Sequence, residues 1–206
     1  MPSPDDRALV RAVLFDLDGV LVDSYDVWFH LLNATARAFG ADPIARDTFA
    51  SCWGQGVAAD VERFFTNRTI AETEAFYHAH FMDLIEHLRI DPQAVPLTRE
   101  LTARGVQLAV VTNTPSPLAR RILAHAALAI DTVVGGDDVP RAKPAPDMIV
   151  EACRRLKVSI DDCVVLGDSE YDARAASAAG ARFIGFRRDG LLSIEALDQL
   201  TCVLRF

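Results

Sequence analysis

The sequence predicts an α/β fold: a doubly wound, mostly parallel sheet with helices on both faces, interrupted by a helical segment after the first strand. Three observations predict it. Short apolar runs of strand length recur along the chain and stop at glycine or small polar residues. Stretches with helical spacing separate them, the alternation from which parallel sheets are built. Between residues 24 and 90 that alternation lapses, and the texture is helical throughout.

The first strand is "AVLFDL", an apolar run bounded by the turn residues Asp18 and Gly19. Ser24 is placed to cap a helix through Trp28, Leu31, Leu32, Thr35 and Phe39 that ends at Gly40. Val57, Val61, Phe64 and Phe65 suggest a second helix. Thr69 and Glu72 have capping-box spacing ahead of a third helix through Tyr77, Phe81, Leu84, Ile85 and Leu88. The alternation then resumes. "LTRELTARG" is a helix stopped at Gly105, and "VQLAVVTN" is the second strand. Ser116 and Pro117 open another helix, because proline suits the first helical position. "TVVGG" is a third strand, "PDMIVEACRRLK" a helix, "CVVLGD" a fourth strand, "YDARAASAAG" a helix and "RFIGF" a strand.

At 206 residues the chain suffices for one good-sized domain, or one domain with a small insertion. Hydrophobic residues make up 50% and charged residues 24%, a globular rather than a disordered balance. The net charge of −8 discourages non-specific binding to nucleic acid or to anionic membranes. Any anionic substrate must therefore be drawn in by a local site. Cys52, Cys153, Cys163 and Cys202 show no C-x-x-C spacing, so neither a disulfide framework nor a zinc site is expected. The N-terminus "MPSPDDRALVR" lacks a charged-then-apolar signal segment, and no apolar run reaches the ~18 residues that span a bilayer. The expectation is a cytoplasmic protein with neither nucleic acid nor membrane as a partner.

Ligands of doubly wound sheets bind at the carboxyl ends of the strands, near the switch point. The first strand ends at Asp16 and Asp18, the second at Thr112 and Asn113, the fourth at Gly167, Asp168 and Ser169. Lys143 lies in the loop "RAKPAP" before the fourth strand. Three acids, a hydroxyl, an amide and a lysine would converge on one edge, with apolar strands as their scaffold.

Taken together, "DLDGVLVDS", "VVTN", "KPAP" and "GDSEYD" resemble the four ordered motifs of the haloacid dehalogenase superfamily, in the phosphatase branch with a helical cap after the first motif. The resemblance runs from about Val10 to about Phe186. It implies a Rossmann-like catalytic core from residues 1–22 and 91–206 and a helical cap domain from 23–90. It also implies Mg2+-dependent hydrolysis of a small phosphorylated metabolite, phosphoglycolate-like or a sugar phosphate, through an aspartyl-phosphate intermediate.

Phosphoryl transfer needs an in-line nucleophile, a cation, donors for the phosphate oxygens and a proton for the leaving group. Asp16 fits the nucleophile and Asp18 the general acid and later base. Asp16, Asp168 and the backbone carbonyl of Asp18 match the family's Mg2+ ligands, and Asp172 could hold a metal-bound water. Thr112 would give a hydroxyl and Asn113 its backbone N–H to the phosphate. Lys143 would fix a positive charge between phosphate and nucleophile. Ser169 reads as a turn residue or one supporting the site from behind, and Asp23 with Ser24 as a helix-entry pair. The glycine-flanked loop Trp53, Gly54, Gln55, Gly56 breaks the helical texture and is a candidate to touch substrate. Trp28, Phe64 and Phe81 read as cap core. The stretches Val22 to Ser24 and Ile90 to Val95 are candidate hinges.

Each residue also has a plainer reading. Asp18 alone suits an Asp-Gly turn, Thr112 and Asn113 an ordinary cap, Lys143 a surface loop, and Asp172 the first turn of a helix. Asp16 is harder to dismiss, because an acid ending a buried strand is costly unless paired. Competing functions divide on single residues. A dehalogenase has no use for Asp18, since a halide leaves without a proton. A phosphonate hydrolase needs a cap lysine, and the only lysines are Lys143 and Lys157. A mutase resembling beta-phosphoglucomutase is the alternative, with Arg37, Arg46, Arg63, Arg68 and Arg89 available for a second phosphate, although ten acids lie in the same stretch. A non-catalytic binding domain is the remaining alternative.

Overall fold

The computed structural model describes residues 9–188 and 192–204. Residues 1–8, on which the reading of the N-terminal segment mostly rests, lie outside it.

The first strand, β1 (Ala12–Phe15), is buried along its whole length. Its alternate residues divide between two core clusters. Val13 and Phe15 pack into one, and Ala12 and Leu14 into the other. The unbroken apolar run follows from this, since a central parallel strand is covered on both faces. A two-residue strand, β2 (Val22–Asp23), leads into the helical segment: α1 (Tyr25–Phe39), α2 (Arg46–Ala50), α3 (Val57–Phe64) and α4 (Ile70–His80). The chain then returns through β3 (Arg89–Ile90), which pairs antiparallel with β2. The two connections to the helical segment are thus zipped into one ribbon at the stretches expected to be hinges.

The remainder runs α5 (Ala94–Ala103), β4 (Gln107–Thr112), α6 (Ser116–His125), β5 (Thr132–Gly135), α7 (Asp147–Leu156), β6 (Cys163–Gly167), α8 (Glu170–Ala179), β7 (Arg182–Phe186), β8 (Ser193–Ile194) and α9 (Leu200–Val203). The sheet order is β5-β4-β1-β6-β7-β8, and every pairing is parallel. Leu101 of α5 and Leu118 and Ile122 of α6 cover the face of Phe15, while Met148 and Ile149 of α7 and Ala175 of α8 cover the face of Leu14. From β1 the chain builds outward through β4 and β5, then crosses back to β6 on the other side. The switch point therefore falls at the carboxyl end of β1.

Three local expectations change. The helix expected to continue through Leu88 ends at His80, and Phe81–His87 is a 3-10 segment with Leu84 at φ −112°, ψ 17°. The tighter winding turns the chain toward β3 while Phe81 stays fully buried. The capping box that opens α4 forms as expected, with Thr69 and Glu72 bonded reciprocally. Ser24 precedes α1, but its side chain makes no capping bond, and Asp23 Oδ1 accepts from Tyr25 N at 3.3 Å instead. Ser116 and Pro117 open α6 as expected, but Pro117 is its second residue rather than its first. All four cysteines are free. Among the described residues no helix is long and apolar enough to cross a membrane.

Candidate active site

Asp16 extends the ladder of β1 by one bond, its N–H donating to Leu166 O at 2.8 Å. Its side chain is 8% exposed. A carboxylate so buried requires a partner, and Lys143 supplies it. Lys143 Nζ donates to Asp16 Oδ1 at 2.8 Å, to Asp172 Oδ1 at 2.5 Å and to Val111 O at 3.0 Å. Three ammonium donors meet three acceptors. Burial by itself would lower the Lys143 pKa, but the charges of Asp16 and Asp172 outweigh it and hold the ammonium above its ordinary range. Burial and the neighbouring Asp172 push Asp16 up, against the pull of Lys143.

The loop that carries Lys143 is fixed by Asn113. Its Oδ1 accepts from Lys143 N at 2.9 Å, and its Nδ2 donates to Lys143 O at 3.2 Å and to Gly54 O at 2.8 Å. One amide thus clasps the end of β4, the Lys143 loop and the helical segment.

Asp18 is half-buried, and four donors converge on it. Trp28 Nε1, at 2.9 Å, and the Ser24 hydroxyl meet Oδ1. Thr114 Oγ1, at 2.7 Å, and Thr112 Oγ1, at 3.3 Å, meet Oδ2. This corrects one expectation, since Ser24 serves Asp18 rather than capping α1. Trp28 is buried in the core as expected and also lines the cavity over the strand ends. Phe81 is core as expected.

Asp168 lies across from the turn after β1. Gly19, at φ +86°, lets the backbone pass so close that a Cβ there would stand 2.0 Å from Asp168 Oδ2. Trp53 Nε1 donates to that oxygen at 3.3 Å, while Oδ1 is buried with no partner. Burial, with help from Asp172, pushes the Asp168 carboxyl up to about 6. Ser169 caps α8 in a reciprocal box with Asp172, which is fully buried. Asp172 Oδ2 accepts from the Ser169 N–H and hydroxyl, and Oδ1 from Lys143. Ligand oxygens of Asp16, Asp168 and Asp172 lie within 4.8 Å of one another.

The Trp53–Gly56 loop closes on the core through Trp53 and Gly54. Trp53, Gly54 and Gln55 line a cavity of about 50 Å³ with Asp16, Asp18, Thr112, Asn113 and Lys143, whereas Gly56 does not line it. Sequence reasoning missed Thr114, Ser24 and Trp28 as partners of Asp18, and missed Asp60 and Tyr77, which line the cavity from the helical segment. Asp60 did have a signal. It stands three residues after Val57 in the stripe that continues at Val61 and Phe64, so an acid occupies the apolar face of α3.

The family profile of the haloacid dehalogenase-like hydrolases matches residues 13–186. The chain is 32% identical over 196 residues to a phosphoglycolate phosphatase of Rhodobacter capsulatus, covering 89% of each. It is 33% identical over 183 residues to another of Nitrosospira multiformis, covering 84% of this chain and 81% of that one. Among solved structures, CbbY from Rhodobacter sphaeroides in complex with xylulose-(1,5)bisphosphate superposes with a TM-score of 0.84 at 25% identity, covering 96% of this chain and all of that one (100%). A hydrolase from Pseudomonas syringae shares the fold, with a TM-score of 0.81 at 24% identity over 93% of this chain and 97% of that one. With its motifs gathered at the switch point and these relatives spanning most of its length, the chain belongs to the haloacid dehalogenase-like hydrolase family and is an enzyme of its phosphatase branch.

Proposed function

We propose that this chain hydrolyses the phosphate monoester of a small metabolite through an aspartyl phosphate on Asp16, with Mg2+ as its cofactor. The observation that carries the reading is the pairing of two acids at one strand end in opposite settings. Asp16 is locked against the buried Lys143 ammonium, and Asp18, two residues on, is held over the same cavity by hydroxyls and an indole. One group suits attack on phosphorus and the other suits proton traffic.

In the first half-reaction a carboxylate oxygen of Asp16 forms a bond to phosphorus as the ester P–O bond breaks. The departing alkoxide takes its proton from Asp18. The partners of Asp18 suit that exchange, because the Ser24, Thr112 and Thr114 hydroxyls can each turn from donor to acceptor as its proton comes and goes. In the second half-reaction Asp18 takes a proton from water, the resulting hydroxide displaces Asp16 from phosphorus, and inorganic phosphate leaves. Lys143, the Thr112 hydroxyl and the Asn113 N–H would meet the phosphate oxygens.

Asp16 and Asp168, with the carbonyl of Asp18, would hold the Mg2+. The buried, partnerless Asp168 Oδ1 beside Asp16 fits a hard divalent cation. Asp172, fully buried and bonded to Lys143 and Ser169, would position Lys143. When bound, the ion neutralises the repulsion between carboxylate and phosphate. Residues 23–90 would act as a cap domain over a core of 1–22 and 91–206, opening about the β2–β3 ribbon to exchange ligands.

Phosphate release from a panel of small esters, with Mg2+ and with EDTA, for wild type and Asp16→Asn, tests the reading. Mg2+-dependent turnover lost in Asp16→Asn is expected. Turnover that survives the substitution would overturn the mechanism.

A further inference from the structure

The wall that the helical segment gives to the cavity carries an acid and no base. Lys143 is the one cation among the described cavity-lining residues, and Asp16 and Asp172 engage it. None of the five arginines of the helical segment lines the cavity. Arg46 pairs with Asp26 at 2.8 Å, Arg68 with Glu72 at 3.6 Å, and Arg63 donates to Ser51 Oγ at 3.0 Å. A second phosphate or a carboxylate on the substrate would find no counter-charge there.

Asp60 stands in that wall, 6% exposed. Gln55 Nε2 donates to its Oδ1 at 2.6 Å and the Tyr77 hydroxyl to its Oδ2 at 2.9 Å. No cation pairs with it among the described residues. Each carboxylate oxygen keeps a free lone pair, and Gln55, with its nitrogen turned to Asp60, keeps its carbonyl oxygen. Acceptors set in a buried wall ask for donors, and above about pH 6, to which burial pushes the Asp60 carboxyl, an incoming anion meets a like charge where little water screens it.

Resting on the phosphatase reading above, we propose that Asp60, with Gln55, sets specificity: the cavity selects monoesters whose far end carries hydrogen-bond donors, hydroxyls or an ammonium, and rejects those ending in a carboxylate or a second phosphate. This parts the chain from phosphoglycolate as a substrate while leaving the chemistry at Asp16 in common. It also disfavours a sugar bisphosphate, and with it the mutase alternative.

The test is kcat/KM of the wild-type enzyme with Mg2+ on glycerol phosphate, phosphoethanolamine, phosphoglycolate and p-nitrophenyl phosphate. The aryl ester has neither donor nor carboxylate and reports whether the chain is a phosphatase at all. Glycerol phosphate or phosphoethanolamine is expected to exceed phosphoglycolate by at least about tenfold, the scale on which unpaired buried polar groups discriminate. Whichever of the two is faster tells hydroxyl from ammonium. Asp60→Asn is expected to narrow the donor-to-carboxylate ratio about tenfold, whereas a merely structural role would lower all esters together and keep the ratio. Should Asp60→Asn fail to fold, the wild-type ratio decides, with Gln55→Leu expected to narrow it several-fold. Hydrolysis of the aryl ester with phosphoglycolate preferred, or an unchanged ratio in a folded variant, would overturn the selectivity and leave the phosphatase standing. No turnover of any ester would overturn both.

Discussion

Lys143 and Asp16 are separated by 127 residues of sequence and by 2.8 Å in space. The same ammonium reaches Asp172 at 2.5 Å, so one cation satisfies two buried acids. Lys143→Met would leave both unpaired, and losing one partner of a buried ion pair costs about 3–5 kcal/mol. Urea unfolding should show that loss together with the loss of activity. Adding Asp172→Asn should restore part of the stability and none of the turnover, because the two changes share a partner. Strictly additive losses would contradict the shared-cation arrangement.

Asp18 has two tasks in the proposed cycle, and they separate by leaving group. Alkyl alkoxides need its proton, so Asp18→Ala should slow alkyl esters by about 10²–10⁴. A p-nitrophenolate leaves unaided, yet the aspartyl phosphate still awaits a base. Stopped-flow with p-nitrophenyl phosphate should therefore show a burst of nitrophenolate equal to the enzyme, followed by slow turnover. Equal slowing of both ester classes with no burst would contradict the assignment.

Gly19 and Gly40 separate backbone strain from a clash. Both have positive φ, +86° and +70°, but a Cβ at Gly40 meets nothing within 4 Å while one at Gly19 meets Asp168. Gly40→Ala should cost about 1–2 kcal/mol and leave kcat/KM unchanged. Gly19→Ala should cost more and should also raise the Mg2+ concentration needed for half-maximal activity. Melting curves and metal titrations on the two variants make the comparison.

Metal binding should compete with protons. Burial pushes the Asp168 carboxyl up to about 6, and Asp16 is also raised. Above pH 6 Asp168 is ionised and ready to ligate; below it, the ion must displace a proton. The apparent Mg2+ affinity should thus fall about tenfold per pH unit below 6 for each proton displaced. Calorimetry near that pH in two buffers of different ionisation enthalpy should detect proton release. The stabilisation that Mg2+ gives over EDTA, about 2.7 kcal/mol at a hundredfold excess over Kd and read as a rise in Tm, should shrink over the same range and vanish in Asp168→Asn.

Much of this was readable in advance because its causes are short-range. Buried strands announce themselves as apolar runs, as "AVLF" and "CVVLG" do. The Thr69–Glu72 box forms within one helical turn. A sheet wound this way must bring the ends of β1, β4 and β6 together, so Asp16, Thr112, Asn113 and Asp168 were foreseeable as neighbours. The ending of α4 at His80 was not, because helical spacing continues past it and the path back to β3 decides the winding. Ser24 also misled, since a serine before a helix resembles a cap until an unpaired acid competes for its hydroxyl.

The sequence by itself determined the α/β class, the helical insertion, and which chemical groups stand at which strand ends, since periodicity and turn chemistry are local properties. Only the tertiary structure decided that Lys143 serves Asp16 and Asp172 at once, that Trp28 and Thr114 serve Asp18, and that Asp60 of the helical segment lines the cavity. Those outcomes depend on which distant groups lose water together, and desolvation is a property of the packed chain rather than of any segment of it.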